Sequence, residues 1–165
     1  MASKVKTVPD GWHNVTPFLV IHDAARAVEF YRKAFGATEL ERMAEPDGKV
    51  NHALLKIGDS LIRLTDDSSK HVAEWVAKGW SRSPQSLGGT PVHFYVYVDD
   101  SDAVFKRAIA AGAKEMEPVT DKDWGDRIGA LTDPFGHIWM VATHKRDVPF
   151  EEVAKKRGGA THKAN

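Results

Sequence analysis

The sequence contains no cysteine in 165 residues. That absence removes disulfides, thiolate nucleophiles, Cys-ligated zinc and iron–sulfur clusters together, and it fits a cytoplasmic location. No charge excess exists either, since 23 Lys and Arg stand against 23 Asp and Glu. Nucleic acid and anionic membrane both need clustered positive charge, so neither is expected as a partner. No apolar stretch approaches the roughly 20 residues of a membrane span. The opening MASKVKTVPDGWH has no apolar run of signal-peptide length. The patterns HExxH, GxxxxGK[ST], GxSxG and GxGxxG are all missing. What is present, 42% hydrophobic and 28% charged residues, suits a soluble chain that buries a core as one domain or as two small halves packed as one.

The chain repeats itself. FLVIHDAARAVEFYRKAFGATEL (18–40) aligns without a gap on FYVYVDDSDAVFKRAIAAGAKEM (94–116). The identities are Phe18/Phe94, Val20/Val96, Asp23/Asp99, Ala27/Ala103, Val28/Val104, Ala34/Ala110, Gly36/Gly112, Ala37/Ala113 and Glu39/Glu115. Each copy opens with a β-branched and aromatic run, continues with an Asp suited to capping, and ends a helical pattern at a Gly suited to a left-handed C′ position. After the first copy, TELERMAEP, VNHALLKIG and DSLIRLTDD read as strands, the last two joined at Gly58-Asp59. A two-residue turn there sets Ile57 opposite Ser60, Leu55 opposite Ile62 and Ala53 opposite Leu64 on one apolar face. His52/Thr65, Leu54/Arg63 and Lys56/Leu61 share the other. After the second copy, KEMEPVT precedes two strands around the turn Asp133 to Gly136. Both copies therefore read βαβββ.

These readings predict an α+β fold of two paired βαβββ modules, spanning 16–66 and 92–147 and forming one structural domain. A linker at 67–91 carries a helix over Val72 to Lys78, then a Ser/Pro/Gly-rich passage. Residues 1–15 and 148–165 are extensions; PFEEVAKKR suits a short helix, and GGATHKAN is expected to fray.

The segments TPFLVIHDAARAVEFYRKAFGA, SPQSLGGTP and GDRIGALTDPFGHIWMVATH, in that order, resemble the vicinal-oxygen-chelate superfamily of glyoxalase/bleomycin-resistance-like proteins, and most of all its PhnB-like subgroup. The resemblance covers roughly residues 16 to 147. It implies curved sheets around a cleft, and assembly as a homodimer. It also implies a divalent metal in the enzymes of the group, held at positions that fall here on Thr16, Arg63, His93 and Met140. Of these only His93 ligates well. Threonine is a weak ligand, methionine is too soft for hard metals, and a guanidinium does not coordinate and repels a cation. No metal and no cofactor are therefore expected, unless His52 or His22 moves beside His93.

Alternation places Val92, Phe94, Val96 and Val98 on the core face, and His93, Tyr95 and Tyr97 on the cleft face. With His52, Leu54, Arg63 and Thr65, these would suit a planar or anionic organic molecule. The expected ligand-binding residues are His52, Arg63, His93, Tyr95, Tyr97, Trp124 and Arg127, with His93 the candidate acid/base. Each has a plainer alternative. Arg63 could pair with an acid, His93 could sit hydrogen-bonded in the core, His52 could tie down the hairpin, and the tyrosines could be sheet packing. Trp124 is either a lid or a corner, with Arg127 held by Asp126 or Asp133. The expected function is metal-free binding of a small organic ligand, for sequestration or resistance. The alternatives are a lyase, isomerase or dioxygenase of the same superfamily, or a dimeric scaffold with a degenerate cleft.

Overall fold

The computed structural model describes residues 6–158, so positions 1–5 and the tail 159–165 lie outside the described residues. The chain forms two compact units. Residues 6–91 with Pro134–Gly136 make the first, and Val92–Asp133 with residues 137–158 the second. Each holds a four-stranded mixed sheet with a helix on one face, as the two βαβββ copies predict.

In the first unit, β1 (Phe18–Ile21) leads into α1 (Ala24–Phe35), followed by β2 (Thr38–Ala44), β3 (Val50–Ile57) and β4 (Ser60–Asp66). The sheet order is β1-β4-β3-β2, parallel only between β1 and β4. The β3–β4 hairpin has the register its turn dictates, pairing Ala53 with Leu64, Leu55 with Ile62 and Ile57 with Ser60. Helix α1 buries Ala27, Val28, Tyr31 and Ala34, and the sheet buries Leu19, Ile21, Leu55 and Leu64. Asp23 caps α1 by accepting the Arg26 N–H, and it does so at φ 65°, a left-handed conformation that Asp tolerates better than most residues. The buried Asp66 carboxylate fixes that approach by accepting the N–H groups of Asp23, Ala24 and Val50 at 3.1–3.3 Å. At the far end Gly36, φ 68°, donates to Arg32 O, and Ala37 donates to Tyr31 O, which closes the last turn. Phe135, from the Asp133–Gly136 turn, packs edge-on against Phe30 and Tyr31.

The segment 67–91 holds α2 (Lys70–Ala77), close to its expected span, and a further short helix, α3 (Pro84–Leu87), where only a loop was expected. Proline at the first helical position needs no N–H partner, and Ser83 before it donates to Asp67 at 2.7 Å, so local polar contacts hold the turn.

In the second unit, β5 (His93–Tyr97) precedes α4 (Ser101–Ala110), then come β6 (Lys114–Asp121), β7 (Asp126–Thr132), β8 (Ile138–His144) and α5 (Phe150–Lys156). The sheet order is β5-β8-β7-β6. The capping residue of α4 is Asp100, which accepts the Ala103 N–H at 3.0 Å, and not Asp99 as the alignment of the copies suggests. Pairing continues one residue longer here, since the Val98 N–H still bonds Ala142 O. Thr143 then joins strand end to helix start, accepting from Ser101 N and donating to Val98 O. Val92 precedes the strand and is 54% exposed, so it does not join the core face expected for it. Gly129 lies under α4: a Cβ there would stand 2.9 Å from Phe105 Cε2 and 2.8 Å from Val119 Cγ2. Pro118 falls on β6, an edge strand, where its missing N–H interrupts no inner ladder.

Candidate functional site

Helix contacts identify the two faces of the second sheet. Phe94 stacks on Trp139 at 4.7 Å, Gly129 meets Phe105, and Thr143 bonds Ser101, so these residues point to the α4 side. Alternation and register then place His93, Tyr95 and Tyr97 of β5, Met140 and His144 of β8, and Asp126 and Ile128 of β7 on the opposite face.

Asp126 organises that face. It is only 3% exposed. One carboxylate oxygen accepts from Tyr95 OH (2.7 Å), Tyr97 OH (3.0 Å) and Trp124 Nε1 (3.0 Å), and the other faces His144 Nδ1 at 2.9 Å. The remaining ring nitrogen of His144 lies 3.0 Å from Asp147. Burial pushes the Asp126 carboxyl up, but the donors from His144, Tyr95, Tyr97 and Trp124 outweigh it, leaving it below its ordinary value. His144 is held above its ordinary range by its bonds to Asp126 and Asp147. Burial, then the bond to Asp126, raises both tyrosine hydroxyls, so they remain protonated donors. The two rings sit 5.1 Å apart, tilted by 43° to each other, and are 42% and 60% exposed, so they form a fixed aromatic pair anchored from beneath.

The other expected residues of this unit fall as follows. His93 is exposed at the start of the same face, and no side chain among the described residues bonds its imidazole. Trp124 forms a corner: its indole donates to Asp126, and the Arg157 guanidinium, itself held by Asp123, covers its ring at 4.6 Å. Arg127 lies on the α4 side, paired with Asp102 at 2.5 and 2.7 Å and with Asp121 at 3.3 Å. Neither Asp126 nor Asp133 is its partner, because adjacent strand residues face opposite ways and Asp133 is engaged with His137 N and Trp139 Nε1. Sequence reading missed Asp126 and His144. The signal lay in the alternation of β7, which puts Asp126 in phase with Ile128 and Ala130, and in its pairing opposite His144.

On the first sheet, the face away from α1 carries Phe18, His52, Leu54, Arg63 and Thr65. Leu54 and Thr65 are buried, and the Thr65 hydroxyl meets Asn51 O and the Ser69 hydroxyl, so the entry to α2 covers that end. His52 faces Glu41 across the β2–β3 pair at 3.5 Å, a contact that ties the strands together. Among the described residues Arg63 has no acidic partner. Its guanidinium sits 5.2 Å from the Phe18 ring centroid, and its Nε is buried with no acceptor among the described residues.

The metal that the resemblance implies does not fit these residues. Thr16 and Arg63 belong to the first unit and His93 and Met140 to the second, and of the four only His93 is a good ligand, since a guanidinium has no lone pair to give a metal. Among the described residues no three His, Asp or Glu side chains converge for a metal ion, and no helix is long and apolar enough to cross a membrane.

Known proteins agree with this architecture. The sequence model of the Glyoxalase/Bleomycin resistance protein/Dioxygenase superfamily matches residues 13–141. An uncharacterized protein of Mycobacterium tuberculosis (strain H37Rv) is 45% identical over 139 residues, which cover 84% of this chain and 79% of that protein. The X-ray structure of an Arabidopsis thaliana gene product is similar at 28% identity and TM-score 0.62, over 79% of this chain and 98% of that one. A PhnB protein from Bacillus cereus, at 19% identity and TM-score 0.59 over 79% and 99% of the two chains, shares the fold alone. The chain belongs to the glyoxalase/bleomycin resistance/dioxygenase superfamily.

Proposed function

We propose that this protein binds a small planar organic molecule without a metal or cofactor, and holds it rather than transforms it. The observation that carries this reading is the Tyr95–Tyr97 pair. Two exposed rings are fixed through their hydroxyls to a buried carboxylate, so a flat ligand can stack on one and meet the other at an angle with little loss of side-chain freedom. Such an arrangement serves sequestration, which needs affinity and no chemistry. The family resemblance supports action as a homodimer, and the lack of cysteine and of net charge supports a cytoplasmic protein whose partner is neither membrane nor nucleic acid.

The test is a thermal-shift screen of neutral and charged aromatic compounds, followed by calorimetric titration of the hits. Tyr95→Ala should weaken a stacked ligand by about 0.5–1.5 kcal/mol. The reading falls if no compound binds saturably, or if affinity is unchanged in both Tyr95→Ala and Tyr97→Ala. Turnover of a bound compound that is lost in His93→Ala would replace it with the lyase or isomerase alternative.

A further inference from the structure

Three aromatic side chains of the second unit, Tyr95, Tyr97 and Trp124, donate to the same oxygen of Asp126. Trp124 shows what such a ring attracts. The Arg157 guanidinium lies over it, 4.6 Å from the ring centroid, although Arg157 is already paired with Asp123. The tyrosine rings differ in being open: among the described residues no Lys or Arg lies over either face, and both rings are exposed. A phenol that gives its proton to a carboxylate is polarised toward phenolate, which deepens the negative potential of the ring face. The charges bonded into the cluster act in the same direction. Arg157 and Asp123 cancel, which leaves the carboxylates of Asp126 and Asp147 against the single imidazole of His144. Asp126 is buried against both hydroxyls, so its field is little screened there. An anion laid on these rings meets like charge, whereas a cation is attracted both by the ring faces and by the carboxylate behind them. The 43° between the rings lets a cationic group face one of them while an attached flat ring lies on the other.

We propose that the Tyr95–Tyr97 pair is a subsite for an organic cation, an amine, quaternary ammonium or guanidinium group carried on a flat ring, with Asp126 supplying the negative field. This rests on the small-molecule reading above and narrows it to a chemical class.

The experiment uses naphthylmethylammonium, naphthylmethanol and naphthoate, which share one bicyclic ring and differ in charge. Each is titrated into the full-length protein at matched pH and ionic strength, and the tyrosine ring resonances are followed by ¹³C–¹H correlation. The chain has three tyrosines, of which Tyr31 is fully buried, so Tyr95→Phe and Tyr97→Phe suffice to assign the other two. The ammonium compound is expected to bind about fivefold or more tighter than the alcohol, with naphthoate weakest, and to shift both tyrosines saturably. Added salt should weaken the ammonium compound and leave the alcohol unchanged. Tyr97→Leu should erase most of the preference for positive charge. The titration of the unaltered protein decides the matter even if a variant fails to fold. If the alcohol or naphthoate binds as tightly as the ammonium compound, or if the ammonium compound binds without moving either tyrosine, the cation subsite is overturned. If none of the three binds but the wider aromatic screen yields a ligand that depends on Tyr95 and Tyr97, the cation subsite is overturned while small-molecule binding stands. If none of the three binds and that screen also fails, both readings fall.

Discussion

Asp126→Ala is the most informative perturbation of the second unit. It removes the shared acceptor of Tyr95, Tyr97, Trp124 and His144 without touching the α4 side of the sheet. Each hydrogen bond to a charged group contributes about 1.5–3 kcal/mol. The four do not sum, because Tyr97 is 60% exposed and the His144 side chain is 50% exposed, so both donors regain water. The uncompensated loss comes chiefly from Trp124 and Tyr95, and a destabilisation of about 2–4 kcal/mol is expected. For a chain of this length that corresponds to a fall in Tm of about 4–16 °C. Asp126→Asn should lose less, about 1–2 kcal/mol, since its oxygen can still accept from the two tyrosines and Trp124 while its amide faces His144. Urea denaturation gives the energies, and amide exchange locates them: β5, β7 and β8 should lose protection. A loss in Asp126→Ala below about 0.5 kcal/mol, the range of an ordinary surface substitution, would refute the claim that Asp126 organises this face.

The same cluster has a pH signature. The bonds of His144 to Asp126 and then to Asp147 raise its value, so its contribution to stability is full below the ordinary histidine value, about 6.5, and is lost as pH rises through the raised one. Asp126 behaves oppositely: its value is lowered, so its contribution is present above the ordinary carboxylate range and is lost as pH falls through the lowered value. The Tm of the protein should therefore decline on the alkaline side, and His144→Gln should flatten that decline; an imidazole that titrates by NMR at or below its ordinary value would contradict the geometry. Gly129→Ala should destabilise by about 1–3 kcal/mol, since the new methyl meets Phe105 and Val119 inside van der Waals distance and α4 or β6 must shift. Unchanged urea stability in Gly129→Ala would show that the helix sits more loosely than its contacts imply.

Much of the architecture is local and was legible in the sequence. The repeated strand, capping Asp, helix and glycine specify a βαβββ unit twice, because alternation, capping and left-handed C′ geometry each act within a few residues. The β3–β4 register follows from one two-residue turn, and with it the placement of Leu54 and Arg63 on one face. Alternation along β5 likewise separates His93, Tyr95 and Tyr97 from Phe94 and Val96. Where two local rules compete, the sequence does not say which wins: Asp99 and Asp100 both suit a cap, and the extra Val98–Ala142 pairing selects Asp100. The site itself depends on pairing across long stretches of chain. Asp126 meets Tyr95 only because β5 lies beside β8, and β8 beside β7, in a definite register, and the same register turns Arg127 away to Asp102. That Arg63 finds no acid among the described residues is likewise a property of its neighbours on adjacent strands. Residue type and spacing determined which side chains share a face; only the packed sheets decided which donor meets which acceptor, because a hydrogen bond is made over about 3 Å and sequence separation does not encode that distance.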